Sequence, residues 1–304
     1  MPGATITTNP PALRRLPATS SPEEVLSVIR EDGGVIIEKI ADPAKLDKAW
    51  DEIQPYLHAQ KHTGVTFAEN TRRITGLAGK SRTFATELLM TPLYQKVADL
   101  LLTKTTRTWW GFEKTTSTSL PQLTNSMAFW LGPGAKAQGL HRDDQCHHTR
   151  HPAKYETELG IMFACTRSHK ANGATNVVPF SHKWDDERKP KMEEAVSAEL
   201  EKGDALMWSV KASLSKSTLP NRTNRLGSTY HGAGHNSTDD EYRLLLAAFM
   251  TPGWLRQDEN QYLSIPREVI ESYPEEVARV LGYYVSRPYG GFVEQMDPID
   301  WLKT

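Results

Sequence analysis

Cysteine is scarce in this sequence: a chain of 304 residues contains only Cys146 and Cys165. Two thiols cannot build a disulfide framework, which excludes a disulfide-stabilised secreted scaffold and fits a reducing compartment. A surplus of charge is also missing, since 36 basic and 37 acidic residues leave a formal net charge of −1. Without a basic surplus the chain has no electrostatic footprint for a polyanion, so we expect no nucleic-acid partner.

Long apolar runs are absent as well. No segment approaches the roughly 20 apolar residues that a membrane-spanning helix needs, and residues 1–21 contain no apolar stretch typical of a secretion signal. We therefore expect a cytoplasmic protein with no membrane span. The composition suffices for a folded core, because 38% of the residues are hydrophobic and 24% are charged.

The first hundred residues predict a loose arm followed by a helical layer. Residues 1–18 are rich in proline and threonine, which is typical of a flexible terminus. Beyond them, first-turn prolines, a terminal glycine pair and apolar residues near helical spacing predict three amphipathic helices, over 22–32, 43–57 and 85–103. We expect residues 19–304 to form a single domain.

Between Thr106 and Phe249 the pattern changes to short apolar or alternating runs separated by glycine, proline and asparagine, which is typical of a β-sandwich or barrel. Residues 266–285 return to helical periodicity. We therefore predict a mainly β protein with flanking helices, in which the β region is a sandwich or a barrel. Two facing sheets of this kind can bring distant strands to one mouth.

The first candidate metal ligands are His141 and Asp143, within residues 138–144. In an extended strand, residues i and i+2 share a face, so both side chains can reach one point while Arg142 points away. An imidazole with a carboxylate suits Fe(II), Mn(II) or Zn(II). This spacing is common, so a surface histidine near an acid is the alternative, and a third ligand must come from elsewhere.

A second candidate region is the glycine-rich run 230–236, which contains His231 and is followed by Arg243. Glycine lets the backbone approach a ligand closely. Arg243 opens the apolar run LLLAAFM, which is typical of a buried strand, and a buried guanidinium needs an anion such as a carboxylate. The alternative is a salt bridge at the rim with one of the acids just before it: Asp239, Asp240 or Glu241.

These segments form an ordered set: QGLHRDD at 138–144, ANGATNVVPFSHKW at 171–184, GDALMW at 203–208, YHGAGHN at 230–236, and Arg243. The set resembles the phytanoyl-CoA dioxygenase family of iron(II)/2-oxoglutarate oxygenases, and its fungal natural-product members in particular. TRRITGL at 71–77 and GWLRQDENQYL at 253–263 resemble the branch that oxidises meroterpenoids. The resemblance runs from about residue 25 to the end of the sequence.

The resemblance implies roles for individual residues. Fe(II) would be held by a facial triad of two histidines and one carboxylate: His141, Asp143 and His231. The distal carboxylate of 2-oxoglutarate would bind Arg243, and three further residues would line its pocket: Gln138, Thr175 and Arg72. Three ligands on one octahedral face leave three positions, two for 2-oxoglutarate and one for O2. In the run 230–236, the spacing to Arg243 favours His231 over His235.

The fold expected with this resemblance is the double-stranded β-helix, of the jelly-roll class, with flanking helices. The implied activity is that of an Fe(II)/2-oxoglutarate-dependent dioxygenase. Such an enzyme would decarboxylate 2-oxoglutarate to succinate and oxidise a hydrophobic polycyclic small molecule in fungal secondary metabolism. Two alternatives stay open. One is a catalytically impaired family member that acts as a structural subunit or a ligand-binding protein, and the other is a cupin-like zinc hydrolase.

The sequence departs from the family pattern in two places. Phe180 stands where the family has the glycine of a PGSH turn ending at His182. Residues 209–225 separate GDALMW from LGSTYHG, which the family joins almost directly, and this segment has four basic and no acidic residues. We predict an insertion there, either a retained intron or a real surface loop.

A group of aromatic residues lies at the start of the β region: Trp109, Trp110, Phe112, Phe129 and Trp130. We expect them to pack in the core or at a dimer contact, and an apolar substrate cavity is the alternative. We expect residues 254–262 to form part of a cavity rim or a dimer contact. The protein is therefore expected to be a homodimer.

Overall fold

The structure, a computed structural model, describes residues 12–58, 70–151, 155–209 and 228–304. This part of the chain contains twelve strands: β1 (Arg15–Pro17), β2 (Gly34–Glu38), β3 (Thr71–Thr75), β4 (Lys104–Trp110), β5 (Glu113–Ser119), β6 (Pro121–Leu131), β7 (Leu159–Ala164), β8 (Thr175–Val177), β9 (Val196–Ala198), β10 (Ala205–Ser209), β11 (His231–Ala233) and β12 (Arg243–Pro252). Its seven α-helices are α1 (Pro22–Asp32), α2 (Pro43–Ile53), α3 (Pro92–Leu102), α4 (Gln261–Ser264), α5 (Arg267–Glu271), α6 (Glu275–Val280) and α7 (Pro298–Trp301). None of these helices is both long and apolar enough to cross a bilayer.

The described strands form three sheets. The largest has seven strands in the order β1-β2-β10-β7-β12-β6-β3. A second sheet has three strands in the order β11-β8-β9, and β4 pairs with β5 in a separate hairpin. The pairs are antiparallel except for β1 with β2, which run parallel.

Strand β7 shows how the layers are held together, because successive side chains of a strand point to opposite faces. Ile161 and Phe163 belong to a core that includes buried residues of helices α1, α2 and α3. Met162 and Ala164 belong to a second core that includes residues of β8 and β9. The seven-stranded sheet therefore packs against helices on one face. We call its other face, which carries the second core, the inner face.

The predicted start and stop signals are confirmed in α1. Ser21 caps the helix by accepting a hydrogen bond from a first-turn backbone N–H, Pro22 occupies the first turn, and Gly33 ends the helix with a φ of 94°. The single helix predicted over 85–103 is wrong, because a π-helical turn and α3 share this region. Pro92 begins α3, since it cannot donate the backbone hydrogen bond that a continuous helix would need there.

The prediction of a loose arm over 1–18 is wrong for residues 15–17, because Arg15–Pro17 forms the edge strand β1. The Arg15 guanidinium anchors this strand through Glu38 at 2.7 Å and Asp204 at 2.8 Å. Arg15 and Asp204 are 189 positions apart in the chain, so local composition carries no sign of this contact. Residues 1–11 lie outside the described residues.

The predicted insertion over 209–225 also lies outside the described residues, except for Ser209. Ser209 is the last residue of β10 and pairs with Leu159 of β7. The insertion stays a prediction.

Three of the predicted core aromatics lie outside the core. On the β4–β5 hairpin, Trp109 and Trp110 are 64% and 65% exposed, and Phe112 at the tip is fully exposed. Of the two alternatives, core packing is wrong for these three, because the strands of the hairpin pair only with each other and contribute no residue to either core. Phe129 and Trp130 do pack against the two cores, one on each face of β6.

Phe180 keeps a turn for which the family pattern has glycine. Its φ is 63°, in the left-handed region that residues with a Cβ rarely adopt. The turn places His182 in a buried position, where its Nε2 donates to the Arg30 carbonyl oxygen at 3.1 Å. Contact with α1 therefore holds a strained turn in place.

We expect Phe180→Gly to raise the free energy of unfolding by about 1 kcal/mol, because glycine adopts a left-handed backbone without steric cost. Phe180→Ala is the matched control, since it also removes the ring but retains the Cβ and the strain. Denaturant unfolding of the three proteins measures the difference. If Phe180→Gly and Phe180→Ala raise the free energy of unfolding equally, the phenyl ring, and not the backbone conformation, lowers the stability.

Candidate metal centre

His141 and His231 lie side by side because their segments pair. The two residues form an isolated antiparallel bridge, with N···O distances of 2.9 and 3.0 Å in the two directions. Gly232 permits this close approach, since a Cβ there would lie 2.9 Å from the Gln138 carbonyl oxygen. The two imidazole ring centroids are 4.7 Å apart as a result.

Asp143 reaches the same point through a turn. The prediction that His141 and Asp143 share one face of an extended strand is wrong, because Asp143 has φ −82° and ψ −28° and precedes a helical turn at 144–147. Arg142 explains the change of direction: its guanidinium is buried and donates to the Ser228 carbonyl oxygen at 2.9 Å. The two side chains converge because the backbone turns between them.

Three possible ligand atoms converge in this way. The Asp143 carboxylate lies 3.4 Å from His141 Nε2 and 3.3 Å from His231 Nε2. The other ring nitrogen of each histidine donates to a backbone carbonyl oxygen. His141 Nδ1 donates to Gly139 at 2.9 Å, and His231 Nδ1 donates to Thr229 at 3.1 Å. A protonated Nδ1 leaves the lone pair of Nε2 free, which is the usual arrangement of a histidine that binds metal.

The electrostatics of the group suit a divalent cation. Burial opposes the ionisation of Asp143, but His231 and His141 outweigh it and hold the pKa of this carboxyl below its ordinary value. Burial lowers the pKa of His231, whereas at His141 the effect of burial is outweighed by Asp143 and the pKa rises. Asp143 Oδ2 is a buried oxygen without a hydrogen-bond partner. One carboxylate and two imidazoles with free Nε2 atoms fit Fe(II).

Arg243 is 2% exposed at the start of β12, two residues before Leu245 of the inner face. Its Nη1 donates to the Gly173 carbonyl oxygen, and its Nε has no partner. Burial lowers its pKa to about 10, so it remains a cation at neutral pH. Within the described residues it forms no salt bridge with the acids considered as alternatives, and Glu241 pairs with His169 at 2.6 Å. The guanidinium is therefore suited to an external carboxylate.

Gln138 and Thr175 lie next to the centre. Gln138 Nε2 is 3.5 Å from His141 Nε2. Thr175 is buried on β8 and pairs with Ala233, two residues along β11 from His231 and on the same face. Both residues lie near the converging ligands, and their role in the 2-oxoglutarate pocket stays a prediction.

The structure does not bring Arg72 to this group. Arg72 pairs in register with Trp130, whose ring packs against the helix-side core, and its guanidinium lies 5.6 Å from the centroid of that ring. The next residue, Arg73, points to the inner face, where its Nη1 is 3.9 Å from Met127 Sδ and burial lowers its pKa. Sequence alone could not choose between two adjacent arginines, because the strand register decides which one points inward.

The other histidines of these segments lie apart from the three converging residues. His235 is exposed, and its Nδ1 donates to the Ala135 carbonyl oxygen at 2.9 Å. His147 belongs to a separate group with Cys146 and Asp258, in which one possible ligand atom from each residue lies within 4.8 Å of the others.

Two residues near the centre were not singled out from the sequence. Trp208 is buried with its ring centroid 5.0 Å from that of His231, and it lies against Gly160, where a Cβ would be 2.8 Å from the indole. Glu158 is 1% exposed, and neither of its carboxyl oxygens has a hydrogen-bond partner in the part of the chain that the structure describes. The GDALMW motif contains Trp208 and could have indicated it, whereas Glu158 only precedes an apolar run.

Comparison with known proteins agrees with this geometry. The profile described as phytanoyl-CoA dioxygenase (PhyH) matches residues 29–225. The chain is 33% identical over 301 residues to the dioxygenase swnH1 of Arthroderma benhamiae, covering 96% of this chain and 92% of that protein. It is also 33% identical over 302 residues to the dioxygenase peniF of Penicillium patulum, with the same coverage of 96% and 92%. The chain belongs to the phytanoyl-CoA dioxygenase family.

Solved structures share its fold. The non-heme α-ketoglutarate-dependent epimerase SnoN from nogalamycin biosynthesis matches with a TM-score of 0.55 and 18% identity, over 80% of this chain and 88% of that one. The carbocyclase SnoK from the same biosynthesis matches with a TM-score of 0.55 and 15% identity, over 81% and 92% of the two chains. The predicted double-stranded β-helix is confirmed.

Membership of the family makes this chain an oxygenase whose cofactor is Fe(II) and whose cosubstrate is 2-oxoglutarate. The residues present fit both groups. The Nε2 atoms and the Asp143 oxygen offer the ligand set that Fe(II) takes in non-heme oxygenases, and the buried Arg243 offers a cation for a carboxylate.

Proposed function

We propose that this oxygenase oxidises a hydrophobic polycyclic small molecule in fungal secondary metabolism and decarboxylates 2-oxoglutarate to succinate. We also propose that Fe(II) is bound by His141, Asp143 and His231. The observation that carries the proposal is the convergence of two imidazole Nε2 atoms on one carboxylate, at 3.4 and 3.3 Å. The substrate class is supported by the fungal dioxygenases to which the chain is similar and by the motifs at 71–77 and 253–263.

Iron(II) bound with 2-oxoglutarate supplies the activation of O2 and the oxidation of a substrate C–H bond. Arg243 binds the distal carboxylate of 2-oxoglutarate, because a guanidinium donates two parallel hydrogen bonds to a carboxylate. Gln138 and Thr175 line the same pocket. Trp208 packs against His231 and helps to exclude water from the metal ligands.

We propose that the substrate enters a cavity formed partly by the segment 254–262, which was predicted as a cavity rim. Its volume is about 400 Å³, and residues from the segment 254–262 line it together with Gln122 and Tyr284. The aromatic rings of Trp254 and Tyr262 form part of the wall, which suits a polycyclic compound.

The activity is tested by loading the full chain with Fe(II) without oxygen and then adding O2, 2-oxoglutarate and a panel of polycyclic fungal metabolites. We expect succinate formation to require both Fe(II) and 2-oxoglutarate, and an oxidised product to appear with at least one compound. Turnover with Zn(II) and without 2-oxoglutarate would instead indicate a hydrolase. Binding of a compound without succinate or product would indicate an impaired family member.

We further propose that the protein is a homodimer that uses the β4–β5 hairpin. The proposal is supported by the three exposed aromatic side chains on this hairpin, since contiguous exposed apolar patches commonly mark protein interfaces. In sedimentation experiments we expect the mass of two chains for the natural protein and of one chain for Trp110→Ser combined with Phe112→Ser. Leu263→Ser is the control, because Leu263 is 84% exposed but lies outside the hairpin. A single-chain mass for the natural protein would contradict the proposal.

A further inference from the structure

A buried carboxyl near the candidate metal centre has no hydrogen-bond partner among the described residues. Glu158 immediately precedes β7 and shares the inner face with Gly160, against which Trp208 packs. Burial, together with the negative charges of Asp143 and Asp258, raises the pKa of Glu158 well above its ordinary value. The carboxyl group of Glu158 is therefore within electrostatic reach of a proposed metal ligand.

Asn125 contributes a second acceptor to this region. Asn125 and Gly160 both pair with Phe249, from the two strands that flank β12. The amide nitrogen of Asn125 donates to Asp258 at 2.9 Å, whereas its Oδ1 has no partner although the residue is only 8% exposed. With the two oxygens of Glu158, three buried acceptor atoms lack a donor. Buried acceptors without a donor lower the stability of the fold. A ligand that supplies hydrogen-bond donors would therefore offset this loss when it binds.

The acids of this region differ in whether a cation balances them. Asp144 is paired with His151 at 2.7 Å, and Asp143 faces the two histidines of the candidate metal centre. Neither Glu158 nor Asp258 forms an ion pair within the part of the chain that the structure describes. Burial and the acidic neighbours therefore oppose the ionisation of Glu158, and a cation that carries hydrogen-bond donors would favour its ionised form and satisfy these acceptors.

Glu158, Asn125 and Asp258 suit an organic cation better than a metal ion. Cys146, His147 and Asp258 could offer ligand atoms, and burial together with the Asp258 carboxylate raises the pKa of the Cys146 thiol, which opposes loss of the proton that metal binding requires. Glu158 is not a member of that group. The aromatic rings of Trp208 and Phe249, whose centroids are 5.6 Å apart, form an apolar wall on the inner face beside it. Acceptors beside aromatic rings are typical of sites for organic cations.

We propose that Glu158, with Asn125 and Asp258, binds a protonated amine of the substrate, so that the enzyme acts on a basic, nitrogen-containing polycyclic compound. This inference rests on the proposed function and narrows its substrate class. The ammonium group donates hydrogen bonds to the Glu158 oxygens and to Asn125 Oδ1, and Asp258, which is exposed and bonded to Asn125, provides a second carboxylate.

The test compares two probes of the same shape, the amine tetrahydroisoquinoline and its neutral oxygen analogue isochroman. Calorimetry or ligand-observed NMR measures their binding to the full chain, first without Fe(II) and 2-oxoglutarate and then with both. We expect the amine to bind at least about tenfold more tightly than the ether, because one hydrogen bond to a charged group contributes about that factor to the affinity. Glu158→Gln should bring the ratio of the amine affinity to the ether affinity close to one, without changing the binding of Fe(II) or 2-oxoglutarate.

Glu158→Gln preserves the shape of a side chain that has no partner to lose, so we expect its melting temperature to equal or exceed that of the natural protein. Asp258→Asn is a second variant, on an exposed residue, and should reduce the ratio in part. Glu87→Gln is the control for net charge, because Glu87 is exposed and pairs with Lys45 in the helical layer. It should leave the ratio unchanged.

Equal affinities for the two probes, or a preference that survives both variants at the pocket, would overturn the inference. Saturable Zn(II) binding that depends on Cys146 and Asp258, together with equal affinities for the two probes, would show that these residues bind a metal. That result would also overturn the inference. Succinate formation without an amine preference would leave the proposed function standing. An amine preference without any binding of 2-oxoglutarate would instead contradict the proposed function.

Discussion

His231→Ala is expected to weaken Fe(II) binding by more than about 100-fold and to abolish succinate formation. Residues that only orient metal ligands already contribute roughly 10–100-fold to metal affinity, so the loss of a ligand should exceed that range. The same result is expected for His141→Ala and Asp143→Ala, because each removes one of the three converging ligand groups. Equilibrium dialysis with Fe(II) under nitrogen and a succinate assay in air measure the two effects.

His235→Ala is the matched control, because it removes a histidine from the same glycine-rich run. Its ring donates to the Ala135 carbonyl oxygen and lies outside the converging group. We expect unchanged Fe(II) binding and activity close to that of the natural protein. If His235→Ala loses iron while His231→Ala retains it, the ligand assignment is wrong.

Arg243→Leu is expected to raise the Kd for 2-oxoglutarate by roughly 10–150-fold, since a hydrogen bond to a charged group contributes roughly 1.5–3 kcal/mol. Fe(II) binding should not change. The melting temperature without 2-oxoglutarate should not fall, because leucine replaces a buried cation that has no counter-anion among the described residues. Calorimetric titration with 2-oxoglutarate and thermal melts with and without it provide the measurements.

Arg167→Leu is the control for this variant. Arg167 is largely exposed and pairs with Glu201 at 3.2 Å, so its loss should leave the affinity for 2-oxoglutarate unchanged. A thermal shift with 2-oxoglutarate that is as large in Arg243→Leu as in the natural protein would remove Arg243 from the cosubstrate pocket.

Much of the candidate site could be predicted because short motifs bring its residues together. His141 and Asp143 are two residues apart, and glycine follows His231 directly, which allows the bridge between the two histidine segments. The reason first advanced for the convergence was wrong, however. A strand was predicted through Asp143, whereas the chain turns there because Arg142 is fixed by the Ser228 carbonyl, which is distant in sequence.

The β4–β5 hairpin and strand β1 are two further features that local sequence did not predict correctly. Aromatic residues in a sequence predict burial, but Trp109 and Trp110 are exposed on a hairpin whose strands pair only with each other. Composition predicted a loose segment through residue 18, but Arg15 ties β1 to Glu38 and Asp204. Neither outcome could be predicted from local sequence, because each depends on which distant segments come into contact.

By itself the sequence determined the chemistry available to this protein: the imidazole, carboxylate and guanidinium groups, their order along the chain, and the limits of α1 between Ser21 and Gly33. The tertiary structure decided which of these groups meet. Strand register placed Arg73 and not Arg72 on the inner face. Burial left Glu158 without a partner. Register, chain reversal and burial all arise from contacts between residues that are far apart in the chain, and a local pattern cannot specify such contacts.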